Sequence, residues 1–185
     1  MKATAKSPSA PALLTFAAGC NQLINWGISF YMPGTFARAI AQDTGWSAAQ
    51  IYLGLTLAGL MMAIVSPFVA RLLARLGGQR VVMSGTLIVA GGCLIMANAH
   101  TLPVWFCAWL LTGIGMRLAL YDALFAALVN LYGQRARVTI SRVTLAGGLA
   151  SAVFWPLGAW LLTTIGWRHA LLVYGLCGVL SALML

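Results

Sequence analysis

Arg117 lies in the middle of an apolar run, residues 103–131, with Asp122 five positions further on. Carrying a charge to the centre of a hydrocarbon layer costs about 2.5–3.5 kcal/mol on insertion scales. Such a residue therefore faces a bundle interior or a wet cavity. A guanidinium forks onto carboxylates, so Arg117 is a candidate anchor for an anionic solute; a structural ion pair or packing against the next helix is the alternative. Asp122 is the one acidic residue inside such a run. It is a candidate proton-coupling site, or the neutralising partner of Arg142. On an unbroken helix five residues turn through about 140°, so Arg117 and Asp122 are not expected to pair directly. Asn21, Gln22 and Asn25 fall at mid-depth of the first apolar run, Asn21 and Asn25 one turn apart on one face. They form a hydrogen-bonding wall for a solute, or else bond between helices at about 0.6–1.7 kcal/mol per contact. Tyr121, Tyr31 and Trp26 add ring faces to that wall, or else serve packing or the interface belt.

Other chemistries find no residues. The four cysteines, Cys20, Cys93, Cys107 and Cys177, lie inside apolar runs without a C-x-x-C pair and read as small buried hydrophobes. His100 and His169 fall at the edges of apolar runs, read as solvated, and have no metal-ligand spacing. No phosphate loop, dinucleotide glycine run or zinc motif is present, so no cofactor is expected. An intramembrane serine protease needs a deep histidine, and neither histidine is deep.

The elements that position these residues follow from composition. The chain is 62% hydrophobic and 7% charged, with a net charge of +9. So much apolar surface makes the bilayer its solvent. The basic residues separate apolar runs instead of forming a polar face, so nucleic acid is not the expected partner; membrane lipid is. Six helices are expected, at about 12–32, 48–72, 81–99, 103–131, 138–164 and 169–185, each near or above the ~20 residues that span a bilayer. A connector at 33–47 and a polar tail at 1–11 complete the chain. The A-A-G-C of residues 17–20 looks a little like a lipoprotein signal, but the apolar run continues to Phe30, so a retained helix is expected. The tail and the connectors after the second and fourth helices hold eight basic residues and the opposite side two. Both termini are therefore expected in the cytoplasm of a plasma (inner) membrane protein.

The segment 66–80, S-P-F-V-A-R-L-L-A-R-L-G-G-Q-R, nearly recurs as W-P-L-G-A-W-L-L-T-T-I-G-W-R at 155–168. Pro67 and Pro156, Ala70 and Ala159, Leu72 and Leu161, Leu73 and Leu162, and Gly77 and Gly166 match at one offset of 89. This implies two repeats, about 12–100 and 101–185, and three helices in each invert the second relative to the first. Gly147 and Ser151, and Ala146 and Ala150, are small-xxx-small pairs suited to close helix packing.

Two inverted triplets with a short Gly/Arg loop between the second and third helices resemble the N-terminal half of a major facilitator superfamily transporter. The resemblance covers essentially the whole chain. Arg75 and Gly77 match the family's loop and Arg80 stands one place late; Ala74 replaces the carboxylate that helps latch the cytoplasmic side. G-W-S at 45–47 is similar to the monocarboxylate and oxalate branch, and L-Y-D-A-L-F-A at 120–126 to a run in many bacterial members. The antiporter pattern of the fifth helix is absent, leaving only Pro156 and Gly158.

The resemblance implies secondary active transport of a small organic solute by alternating access. Arg117, Asn21, Asn25, Gln22 and Tyr121 would bind it, Asp122 would couple protons, and Arg75, Gly77 and Arg80 would form the gating loop. Complete members have about twelve helices, so this chain is expected to be part of a longer protein or to pair with a second copy. A non-transporting membrane half and a multidrug efflux transporter are the rival readings; a cationic Arg117 disfavours lipophilic cations as cargo.

Overall fold

The computed structural model describes residues 11–185, and they are helical nearly throughout. Lys2 and Lys6 of the expected tail lie outside the described residues. Helix α1 (Ala12–Ile28) is followed after a short break by α2 (Met32–Thr44). Residues 33–47 are thus not a loop. Pro33 lies in the first turn of α2, where a missing N–H costs nothing. α3 (Ala48–Leu76) opens on a capping box: Gln50 N donates to Ser47 Oγ at 3.2 Å, and Ser47 N donates to Gln50 Oε1 at 2.9 Å. Its 29 residues reach about 43 Å at 1.5 Å each, more than a ~30 Å hydrocarbon core requires. α4 (Gly78–Ala97) follows directly.

The expected fourth helix is two helices, α5 (Leu102–Ala119) and α6 (Tyr121–Tyr132), separated by an extended Leu120 (φ −76°, ψ −178°). A single 3-10 turn, Gly133–Arg135, leads to α7 (Ala136–Gly148). α8 (Ala150–Leu183) begins after a turn at Leu149 and is itself broken at Gly166. The expected fifth helix is therefore α7 plus the first arm of α8, and the sixth is the second arm.

Gly77 (φ 82°, ψ 153°) and Gly166 (φ 75°, ψ 164°) share one backbone conformation. A side chain is essentially excluded from that region, which is why glycine recurs at both positions. Pro67 and Pro156, ten residues upstream of each, both lie inside helices.

α4 packs against α5 and α8, α3 against α5, and α1 against α7 and α8. Glycines allow backbones to touch. A Cβ on Gly113 would meet the Ala58 carbonyl oxygen at 2.5 Å, and one on Gly115 would meet the Gly85 carbonyl oxygen at 2.7 Å. Gly147, the first member of one small-xxx-small pair, receives the Tyr121 hydroxyl; a Cβ there would stand 2.1 Å from it. Trp105, Trp109, Tyr174 and Phe36 are buried in the core. The outside is apolar too: Leu13, Leu145 and Leu183 are each more than 70% exposed. α3 and α4 are long and apolar enough to cross a membrane, with mean hydropathies of 2.0 and 1.8, as is the helical stretch Leu102–Leu183. An apolar exterior on apolar helices is stable only in lipid.

Candidate functional site

The extended Leu120 decides the site. It swings the first turn of α6 so that Asp122 meets Arg117 in the last turn of α5, and Arg117 Nη1 donates to Asp122 Oδ2. This corrects the expectation that the two stand 140° apart, which assumed a continuous helix. It also removes Arg142 as the partner of Asp122. The arginine side chain is 19% exposed and the aspartate side chain 70%. The pair therefore opens outward through its acid. Arg117 Nε is buried with no hydrogen-bond partner.

The break itself is held from below. A helix end orphans its last carbonyls, and Gln22 Nε2 donates to the orphaned Ala119 carbonyl at 2.7 Å. Gly85 of α4 lies against the same turn: a Cβ there would be 2.7 Å from Ala119 N. Beside Gln22, Asn21 Nδ2 donates to Thr86 Oγ1 at 3.1 Å and to Ser181 Oγ at 2.8 Å, and Asn25 Nδ2 donates to Thr86 Oγ1 at 3.1 Å and to the Asn21 carbonyl at 2.9 Å. Thr86 gives its own proton to Val82 O at 2.9 Å, so its hydroxyl is fully used. Asn21, Gln22 and Asn25 are at most 1% exposed, and in this conformation they join α1 to α4, α5 and α8. Their amide oxygens, Asn21 Oδ1, Gln22 Oε1 and Asn25 Oδ1, are buried without partners.

Above this layer is a sheet of rings. Trp26 packs on Tyr121 at 5.2 Å and on Phe30 at 5.4 Å, Tyr121 stacks on Phe125 at 5.0 Å, and Tyr31 meets Trp155 edge-on at 6.1 Å. The Tyr121 hydroxyl donates to the Thr144 carbonyl at 3.2 Å. The structure thus pairs Arg117 with Asp122 and Trp26 with Tyr121, and ties the amide cluster to the same break through Gln22. Phe30, Phe125 and Trp155 were not singled out from sequence; Phe30 and Phe125 stand one turn beyond Trp26 and Tyr121.

Other predicted residues lie apart. Arg75 and Arg80 are exposed at the α3–α4 junction. A Cβ on Gly78 would meet Ala127 Cβ of α6 at 2.2 Å, so the loop sits directly on the helix that carries Asp122. Arg142 lines a separate cavity of about 450 Å3 between α1 and α7, with Phe16, Cys20 and Leu149. His100 and His169 are exposed. The cysteines are free; Cys93 is buried, but Cys107 is exposed, contrary to expectation. No group of metal-ligating side chains occurs among the described residues.

Asp43, the other acid, is held by Arg168 at 3.3 Å and by the indole N–H of Trp167 at 3.2 Å. Arg168 Nη1 also donates to the carbonyls of Ala97 and Ala99 at 2.9 and 3.1 Å, and its guanidinium sits 4.2 Å over the Trp167 ring. A cation among the last carbonyls of α4 is favoured by the helix dipole. This clasp joins the ends of α2 and α4 to the second arm of α8.

Comparison with known proteins agrees with this architecture. The Major Facilitator Superfamily description matches residues 14–185. Monocarboxylate transporter 11 of Mus musculus is 34% identical over 137 residues, 73% of this chain and 29% of that protein. Monocarboxylate transporter 13 of Rattus norvegicus is 34% identical over 109 residues, 58% of this chain and 25% of that one. The uncharacterized transporter YycB of Bacillus subtilis (strain 168) is 29% identical over 130 residues, 68% of this chain and 31% of its own length. The chain spans under a third of the length of each of these relatives. With a family match over nearly its whole length, an apolar exterior and membrane-length helices, the chain belongs to the major facilitator superfamily of membrane transporters.

Proposed function

We propose that the protein is a secondary active transporter of a small monocarboxylate, that Arg117 binds the carboxylate, and that Asp122 couples its movement to a proton. The observation that carries this reading is the Arg117–Asp122 pair: a guanidinium in an apolar setting is already occupied by a carboxylate, and that carboxylate is largely exposed. A solute carboxylate of the same chemistry can take its place. The displaced Asp122 is then free to carry the proton that enters with the solute. Loading with an anion and loading with a proton become one event, and the site stays near neutral overall.

The names of the relatives support the monocarboxylate class. Tyr121 supplies a ring wall. Asn21, Gln22 and Asn25 anchor the α5–α6 break and hold unused amide oxygens that can accept from a solute hydroxyl. The Arg75–Gly77–Arg80 loop forms the gate, linked to the site through the seat of Gly78 on α6. Two inverted repeats are supported by the shared conformation of Gly77 and Gly166. The packing supports them too: exchanging the triplets maps the α3–α5 contact onto the contact of α1 with α7 and α8. Alternating access then needs a facing unit, a second six-helix half or a second copy of this chain. Both termini lie in the cytoplasm of a plasma membrane in this reading.

The test is uptake of radiolabelled propionate into proteoliposomes under an inward proton gradient. Gradient-dependent accumulation that an ionophore collapses supports the reading. Uptake indifferent to the gradient would remove the proton role of Asp122.

A further inference from the structure

An anion anchor alone does not need the space beside Arg117. Trp26, Phe30, Leu55, Met62, Met116 and Leu120 line a cavity of about 140 Å3 between α1, α3 and the end of α5. An apolar cavity of about 150 Å3 is of the size that takes up benzene. Its wall is apolar apart from the indole N–H of Trp26, which is buried with no hydrogen-bond partner. Met116 and Leu120 belong to the same turn as Arg117, and the Trp26 ring packs on Tyr121 at 5.2 Å. The ring-sized space and Arg117 thus share the last turn of α5. One donor of this wall, Trp26 Nε1, is buried without a partner, and Arg117 follows the lining residue Met116 in the chain. Phe30 and Trp26 offer ring faces and edges, and two methionine sulfurs line the wall, a lining suited to an aromatic guest.

We propose that this cavity is the specificity pocket of the carrier and selects carboxylates bearing an aromatic ring over short aliphatic ones. The proposal rests on the Arg117 reading above. Calorimetry on the purified chain in lipid nanodiscs tests it with phenylpropionate, propionate and phenylpropanol, which vary the ring and the charge separately. A ring buried against aromatic and methionine side chains adds contact energy to that of the charge, so phenylpropionate should bind roughly tenfold more tightly than propionate. Trp26→Leu, and Leu55→Trp, which fills the cavity, should each bring that ratio close to one. Two positions on different helices keep the test decisive if one variant fails to fold. Equal affinity for both acids in the native chain, or a ratio untouched by Leu55→Trp, overturns the ring pocket and leaves the Arg117 anchor standing. Phenylpropanol binding as tightly as phenylpropionate overturns the anchor, and with it the selection of carboxylates; no binding of either acid overturns the anchor and the pocket together.

Discussion

Arg117 and Asp122 carry opposite burdens within one pair. The arginine is mostly enclosed and its Nε is unused; the aspartate is mostly exposed. Removing the acid therefore frees the cation for a solute. Asp122→Asn should tighten propionate binding several-fold, measured by calorimetry. An unchanged affinity would mean that the aspartate does not compete for Arg117. In the layer behind, Thr86 is the shared acceptor for Asn21 and Asn25. Thr86→Val leaves two buried amide donors short of a partner and should destabilise the fold by about 1–3 kcal/mol, read from thermal unfolding in nanodiscs with the fold otherwise intact. At this scale the sequence was partly legible. Arg117 and Asp122 stood out because a charge in an apolar run is costly. Their pairing was hidden, because neither glycine nor proline marks Leu120 as a break. The amides stood out for the same reason as the charges, yet a side chain that bonds across helices and one that lines a wet wall leave the same trace in sequence.

The helices are organised by their interruptions. Leu120 ends extended, Leu149 turns, and Gly77 and Gly166 adopt a conformation that side chains resist. Gly77→Ala and Gly166→Ala should each cost about 1–3 kcal/mol, with similar losses in a chemical-denaturation series if the two positions are duplicated structure. A loss at only one would argue that the sequence match at offset 89 has no common structural cause. Glycine in register with proline made these two breaks visible in advance. Pro33 misled in the opposite sense: it reads as a helix terminator but opens α2, because the first turn tolerates its missing N–H. Leu149 follows Gly147 and Gly148, of which Gly147 forms the notch for Tyr121; their helix-weakening character was outweighed by the apolar run around them.

Taken whole, the molecule keeps its acids away from most of its arginines. Asp43 and Asp122 are engaged by Arg168 and Arg117, whereas Arg71, Arg75, Arg80, Arg137 and Arg142 are exposed at or near the α3–α4 and α6–α7 connections. The clustering of these five arginines was legible, since it needs only the order of apolar runs and charges; the two ion pairs were not. The clustering predicts sidedness. In intact cells, Gln134→Cys on a cysteine-free background should resist a membrane-impermeant maleimide, and His100→Cys should react; the reverse pattern would invert the topology. The ring sheet and its cavity were not legible, because Trp26, Phe30, Met62 and Met116 come from three helices whose relative rotation no local pattern specifies.

The account depends above all on Arg117 as the group that holds the solute's charge. Equilibrium binding of radiolabelled phenylpropionate to the purified chain, with Arg117→Leu and Arg117→Lys beside it, tests this most directly. A charge-assisted hydrogen bond contributes about 1.5–3 kcal/mol, so Arg117→Leu should lose roughly ten- to a hundredfold in affinity, and Arg117→Lys should recover part of it. Native affinity in a folded Arg117→Leu chain would contradict the account.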